Sequence, residues 1–139
     1  MAKKNVFVCV KKDIVNPINW ALKEFEGRIS ARYFDNTKQL GAILDDDVDC
    51  CAVILDSSFA DVSTFDFAKE LKEKKPAFKI LFIVSAGTTK EELVKIIQQK
   101  IVSGVVIRPF TTEQISDNIY KLCGFQKPTD TPWYMQTGI

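Results

Sequence analysis

The most constraining feature of this chain is an alternation of two periodicities. Short apolar runs without internal polarity are separated by segments whose apolar residues recur at helical spacing. Val6-Phe7-Val8-Cys9-Val10 is the first run, Cys50-Cys51-Ala52-Val53-Ile54-Leu55 the third and Ile80-Leu81-Phe82-Ile83-Val84 the fourth. A run that is apolar at every position suits a strand covered on both faces. Ile29 to Phe34 is a weaker strand and carries Arg32, as an edge strand can. Val105-Val106-Ile107 is the last strand. Five strands alternating with five helices imply right-handed crossovers and a parallel sheet with helices on both faces.

Each helix has its own punctuation. Asn16-Pro17 reads as an N-cap followed by proline, ahead of Ile18, Ala21, Leu22 and Phe25, with Gly27 as the stop. Leu40, Ile43 and Leu44 form a short second helix closed by the solvated run Asp45-Asp46-Asp47. Phe65, Ala68 and Leu71 mark the third, which ends at Lys74-Lys75-Pro76. Leu93, Ile97 and Ile101, spaced by four, mark the fourth, which stops at Gly104. Thr111 and Gln114 form a capping box for the last helix, with Phe110 and Ile115 at the staple positions. Ile115, Ile119, Leu122 and Cys123 make its buried stripe, and Gly124 terminates it. One domain over residues 1–124 follows, with residues 125–139 as a tail or linker. Trp133, Tyr134 and Met135 make that tail stickier than a spacer, fit to dock on the domain or on a partner.

The composition excludes several chemistries. There is no histidine in the 139 residues, which removes Ser-His-Asp and Cys-His catalysis and His-ligated zinc. Six glycines are scattered singly, and neither GxGxxG nor GxxxxGK[ST] occurs, which counts against a dinucleotide site and a P-loop. The net charge of +1 gives no global drive toward nucleic acid or membrane. The four cysteines, Cys9, Cys50, Cys51 and Cys123, form no CxxC pair and no zinc spacing. They read as free thiols inside apolar strands of a reduced, cytoplasmic protein. Cys50 and Cys51 are strand neighbours and point to opposite faces, which disfavours a vicinal redox or metal pair. The N-terminal apolar run is too short for a signal peptide or a membrane span.

In open parallel sheets, ligands bind beyond the carboxyl ends of the strands. The residues there are Lys11 and Lys12, Asp56, Ser85 and Arg108. Asp56, a lone carboxylate closing a buried run, stands out among them.

With VILDSS around Asp56, FIVSAG around Ser85 and VVIRPFT around Arg108, Pro109 and Phe110, the chain resembles the receiver domain of bacterial response regulators. The resemblance covers roughly residues 4–124. It implies a flavodoxin-like (CheY-like) three-layer sandwich, a parallel sheet of order 2-1-3-4-5 with helices on both faces. It implies Asp56 as phosphoacceptor, Ser85 as the switch hydroxyl and Arg108 in place of the lysine that pairs with the acyl phosphate. It also implies a cis peptide before Pro109 and the Ser58 backbone carbonyl as a Mg²⁺ ligand.

The departures from the family are informative. Lys11 and Lys12 stand at the two acidic positions that hold Mg²⁺, and only the flanking Asp13 is acidic. Mg²⁺ needs oxygen ligands, and at about 4 Å and an effective dielectric of about 20 one ammonium opposes each unit of its charge by ~4 kcal/mol. The site is expected to hold one carboxylate among two lysines and an arginine, with Arg108 clamping Asp56. Val105 replaces a frequent aromatic and Ala60 a frequent proline.

Two functional expectations follow from the resemblance. The first is an atypical receiver in phosphorelay signal transduction that acts by protein contact, is not an enzyme and needs no cofactor. The second is a conventional receiver, phosphorylated on Asp56 by a sensor histidine kinase with Mg²⁺. Either would meet a sensor kinase or downstream effector, and neither nucleic acid nor membrane. A homodimer through the face of the fourth helix, last strand and last helix is a further expectation. Lys90, Glu91, Lys95, Gln98, Gln99, Thr112, Glu113 and Asp117 would lie near that face. Binding of sulfate, phosphate or an acidic small ligand by Lys11, Lys12 and Arg108 beside Asp56, without phosphotransfer, is a separate possibility.

Overall fold

The structure, a computed structural model, describes residues 3–44, 50–57 and 64–125. The elements alternate without exception: β1 (Lys4–Cys9), α1 (Lys12–Leu22) with a 3-10 turn at Lys23–Phe25, β2 (Ile29–Phe34), α2 (Thr37–Leu44), β3 (Ala52–Asp56), α3 (Thr64–Lys74), β4 (Ile80–Val84), α4 (Lys90–Gln98), β5 (Gly104–Ile107) and α5 (Thr112–Cys123). All four strand pairs are parallel and the sheet order is β2-β1-β3-β4-β5. The sandwich and sheet order expected from the resemblance are therefore the ones the chain adopts. The expected Arg32 edge is β2, which pairs only with β1.

Strand parity builds two cores. Val6, Val8, Ala52, Ile54, Leu81 and Ile83 face the layer of α1 and α5, meeting Ile14, Ile18, Ile115 and Ile119. Phe7, Cys9, Val53, Leu55, Phe82 and Val84 face the other layer, meeting Leu40, Ala68 and Leu71. Successive residues of a strand point to opposite faces, so β3 and β4 are buried at every position. β5 is short and only Val106 is buried along it, which makes it the weaker edge.

The α5 expectations hold in detail. Thr111 Oγ1 accepts from the Gln114 amide at 3.2 Å, and the Gln114 side chain accepts from the Thr111 amide at 2.9 Å. Phe110 packs against the core that contains Ile115, and Gly124 closes the helix at φ 72°. That left-handed conformation is one glycine adopts without a Cβ penalty.

Three sequence expectations are corrected. First, α1 starts at Lys12, and Pro17 lies inside it rather than at its start. The apolar stripe reaches back to Ile14, a full turn before the proline, and its burial sets the helix start. The missing N–H of Pro17 deprives only the Asp13 carbonyl, in the first turn. Second, α4 ends at Gln98 and does not reach Gly104, which opens β5. Leu93 and Ile96 face the core, whereas Ile97 is 58% exposed. The short β5 gives that second apolar flank no sheet to lie on, and Lys100 at φ 57° turns the chain toward Ile101.

Third, Cys51 and Cys123 are not free thiols but form a disulfide, their Cα atoms 5.1 Å apart. Cys51 points to the α1/α5 layer, where the last turn of α5 delivers Cys123. Local spacing cannot reveal a pair separated by 72 positions. Cys50 points to the opposite face, and Cys9 and Cys50 are buried and lie outside the disulfide. The expectations for Asp45-Asp46-Asp47, Ser58, Ala60 and the tail after Phe125 lie outside the described residues. No helix among the described residues is long and apolar enough to cross a membrane.

Candidate functional site

The carboxyl ends of β1, β3, β4 and β5 converge on one pole, and Asp56 is its centre. It is the last residue of the central strand β3 and is fully buried. A carboxylate without solvent needs partners. The Lys11 backbone N–H donates to Asp56 Oδ2 at 3.1 Å, and Arg108 Nη2 donates to the same oxygen at 2.5 Å. Lys11 is the N-cap of α1, so the strand-to-helix turn aims its amide at the carboxylate.

Arg108 follows β5, and its backbone N–H donates to the Val84 carbonyl at 2.9 Å. Its guanidinium makes a second ion pair, from Nη1 to Asp13 Oδ2 at 2.7 Å. Asp13 sits in the first turn of α1, where negative charge favours the helix dipole. The planar fork thus bridges two carboxylates on two elements, a geometry that a lysine's single point charge cannot reproduce. The Arg108 side chain is 19% exposed, against 60% for Asp13. Arg108 Nε is buried and has no hydrogen-bond partner among the described residues. The hydrogen bond from Arg108, helped by its charge, holds the Asp13 carboxyl below the usual carboxylate range despite slight desolvation. Burial opposes the charge on Arg108, but the Asp13 hydrogen bond and the Asp56 charge and hydrogen bond outweigh it and raise its pKa. Below the site, burial first, then the Asp56 and Asp35 charges, pushes the Cys9 thiol up to about 12.

The structure brings together Asp56, Arg108 and Asp13, and it leaves the two lysines outside. The side chains of Lys11 and Lys12 are exposed, and their ammonium groups make no ion pair among the described residues. The expectation of one carboxylate among two lysines and an arginine is corrected: the inner set is two carboxylates on one arginine. Lys11 contributes its main chain, and Lys12, the first helical residue, is exposed and makes no ion pair among the described residues. The type of each residue was readable, but side-chain direction at a helix start was not. Ser85 is exposed after β4, and its hydroxyl pairs with that of Thr88 at 3.2 Å. Sequence reasoning missed Thr88; its spacing of three within a tight turn was the available signal. The Arg108–Pro109 peptide is cis, as the resemblance implied.

A divalent ion between Asp13 and Asp56 would contest the space and the oxygen lone pairs held by the guanidinium. Among the described residues no group of three acidic, cysteine or histidine side chains is placed to hold a metal. Among the described residues, the carboxylates at hand for Mg²⁺ are Asp13 and Asp56, and Arg108 engages both.

At the level of sequence, no protein-family model and no curated protein matches the chain. Solved structures do match. A response regulator from Thermotoga maritima superposes with a TM-score of 0.72 at 13% identity, over 88% of this chain and 99% of that one. A CheY-like response regulator receiver domain protein from Methanospirillum hungatei gives 0.73 at 14% identity, over 88% and 95%. A structure described as adenylate cyclase from Rhodopirellula baltica gives 0.72 at 8% identity, over 99% and 100%. With the order β2-β1-β3-β4-β5 and a buried aspartate closing β3, the chain has the CheY-like fold of response-regulator receiver domains.

Proposed function

We propose that this chain is an atypical response-regulator receiver module that carries phosphorelay signals by protein contact, with weak or no Mg²⁺-dependent phosphorylation of Asp56. One observation carries the reading: Arg108 is bonded to Asp56 and Asp13 at once. A fixed guanidinium already supplies positive charge where the family uses a metal. Displacing it from one side strands a buried carboxylate, at about 3–5 kcal/mol. Ser85 would be the switch hydroxyl, and its bond to Thr88 gives it a resting partner. The described residues at the strand ends offer no nucleophile–base pair, so we read a signalling module rather than an enzyme.

The partners would be a sensor histidine kinase or a downstream effector. The α4–β5–α5 face suits contact with them or with a second copy. Val94, Ile97 and Ile107 are exposed there, and Lys90, Glu91, Lys95 and Gln98 line a depression of about 400 Å³ with Val94. A cytoplasmic working place accords with the fold, but the Cys51–Cys123 bond belongs to a class rare in reducing compartments. Alkylation of thiols at the moment of lysis decides that point.

The test of the central reading is titration with acetyl phosphate or beryllofluoride at millimolar Mg²⁺, followed by NMR and intact mass. Little or no Asp56-dependent change is expected in the wild type. A clear change that Asp56→Asn abolishes would replace this reading with that of a conventional phosphoacceptor.

A further inference from the structure

β2 is an edge strand that pairs only with β1 among the described residues, and its Tyr33 faces α1. α1 packs against α5, and its Val15 and Asn16 lie beside the carboxyl ends of β1 and β2. The result is a groove of about 480 Å³ at the carboxyl end of β1 and β2. That volume lies within the range of small-molecule sites. Buried Val8 and Val10 form its floor, and Val15 and the Tyr33 ring form its walls. The Tyr33 hydroxyl donates to Asn19 Oδ1 at 2.9 Å, which ties the edge strand to α1.

The mouth of the groove differs in character from the floor. Lys11 and Lys12 both line it, and these are the two ammonium groups that the Asp56 cluster leaves without a counter-charge. Among the described residues, Asp35 is the one acidic side chain on the lining. An apolar slot with two cations at one end that make no ion pair among the described residues is complementary to one ligand chemistry. We infer that this groove binds a small organic anion, an apolar and preferably aromatic body bearing one carboxylate, sulfonate or phosphate group. The body replaces water on Val8, Val10, Val15 and Tyr33, and the anionic head pairs with Lys11 and Lys12.

The position gives such a ligand a route to the centre of the fold. Lys11 donates its backbone N–H to Asp56, and Asp13 lies in the same first turn of α1 and holds Arg108. An anion drawn to Lys11 and Lys12 therefore bears on the turn that organises the ion-pair cluster. The inference does not rest on how Asp56 behaves toward phosphate, and no part of its test involves Arg108 or Mg²⁺.

Two fluorescent probes of one shape separate the head from the body: 8-anilinonaphthalene-1-sulfonate and its uncharged analogue N-phenyl-1-naphthylamine. With ¹⁵N-labelled full chain, saturable one-site binding of the sulfonate should shift amides over residues 8–16 and 33–35. It should bind at least about ten-fold more tightly than the neutral analogue. Lys11→Gln with Lys12→Gln, both exposed positions, should weaken the sulfonate about ten-fold and leave the neutral probe unchanged. Val15→Trp, which fills the slot, should abolish both; if that variant fails to fold, the lysine pair decides alone. Absence of saturable binding, shifts centred on another surface, or an unchanged sulfonate affinity in the lysine variant would each overturn the inference.

Discussion

Removing the guanidinium of Arg108 is the perturbation that the site geometry judges most sharply. Asp56 is fully buried, and without the arginine it loses its ion pair while it keeps the neutral Lys11 amide at 3.1 Å. Breaking a buried ion pair from one side costs about 3–5 kcal/mol. The Asp13 contact adds little, because its side chain is 60% exposed and exposed pairs contribute at most ~1 kcal/mol. Arg108→Ala should therefore lose about 4 kcal/mol, and Asp13→Asn less than ~1 kcal/mol. With a urea slope of about 2 kcal/mol/M, the larger loss moves the midpoint down by ~2 M. Arg108→Lys should fall between, since one ammonium cannot fork to two carboxylates. The diagnostic variant is the double change Arg108→Ala with Asp56→Leu. It removes the stranded charge and should recover most of the stability, as apolar replacements of whole buried pairs do. Urea denaturation at pH 7 measures all four variants. If Arg108→Ala costs under ~1 kcal/mol, or the double variant is no more stable than the single, the electrostatic account of this site is wrong.

Three further outcomes follow from packing and titration. Reducing the Cys51–Cys123 bond, which closes 72 residues, should cost about 4 kcal/mol on the chain-entropy model, read as the difference between urea curves with and without reductant. Identical curves would mean the bond constrains nothing in the unfolded chain. The Cys9 thiol, pushed up to about 12 from 9.0, keeps its proton in the fold after the unfolded chain has lost it. Stability should thus be intact below pH 9 and fall above it, by about 1 kcal/mol at pH 10. Cys9→Ala should flatten that slope, and parallel pH profiles would argue against the shift. Thr111→Ala should cost about 1 kcal/mol by opening the α5 capping box, whereas Thr111→Ser should retain most of it, both read from urea midpoints.

The parts of the fold legible in the sequence were those decided by nearest neighbours. Unbroken apolar runs at Val6–Val10 and Ile80–Val84 marked strands buried on both faces, and Thr111 with Gln114 marked a helix start whose partners lie three residues apart. Asp56 and Arg108 were legible as strand-end residues because topology alone sends strand ends to the site. What escaped was decided at a distance. The start of α1 depends on Ile14 finding the core, which outweighs the signal of Asn16-Pro17. The exposure of Ile97 depends on how short β5 is, and the Cys51–Cys123 pair on where α5 ends. Lys11 and Lys12 were assigned by position to the cluster, but only their helix geometry shows that one gives its amide and neither gives its ammonium.

The same disulfide divides the molecule under mechanical load. It encloses β3, α3, β4, α4, β5 and α5 in one covalent ring and leaves β1, α1, β2 and α2 outside. A pull on the two chain ends can unravel the outside elements but cannot extend the ring, which withholds roughly 240–260 Å of contour from its 72 residues. Asp56 and Arg108 are both within the ring, and Asp13 is not. Force would then part Arg108 from Asp13 by drawing β1 and α1 away, while the two residues of the inner pair stay within one closed loop.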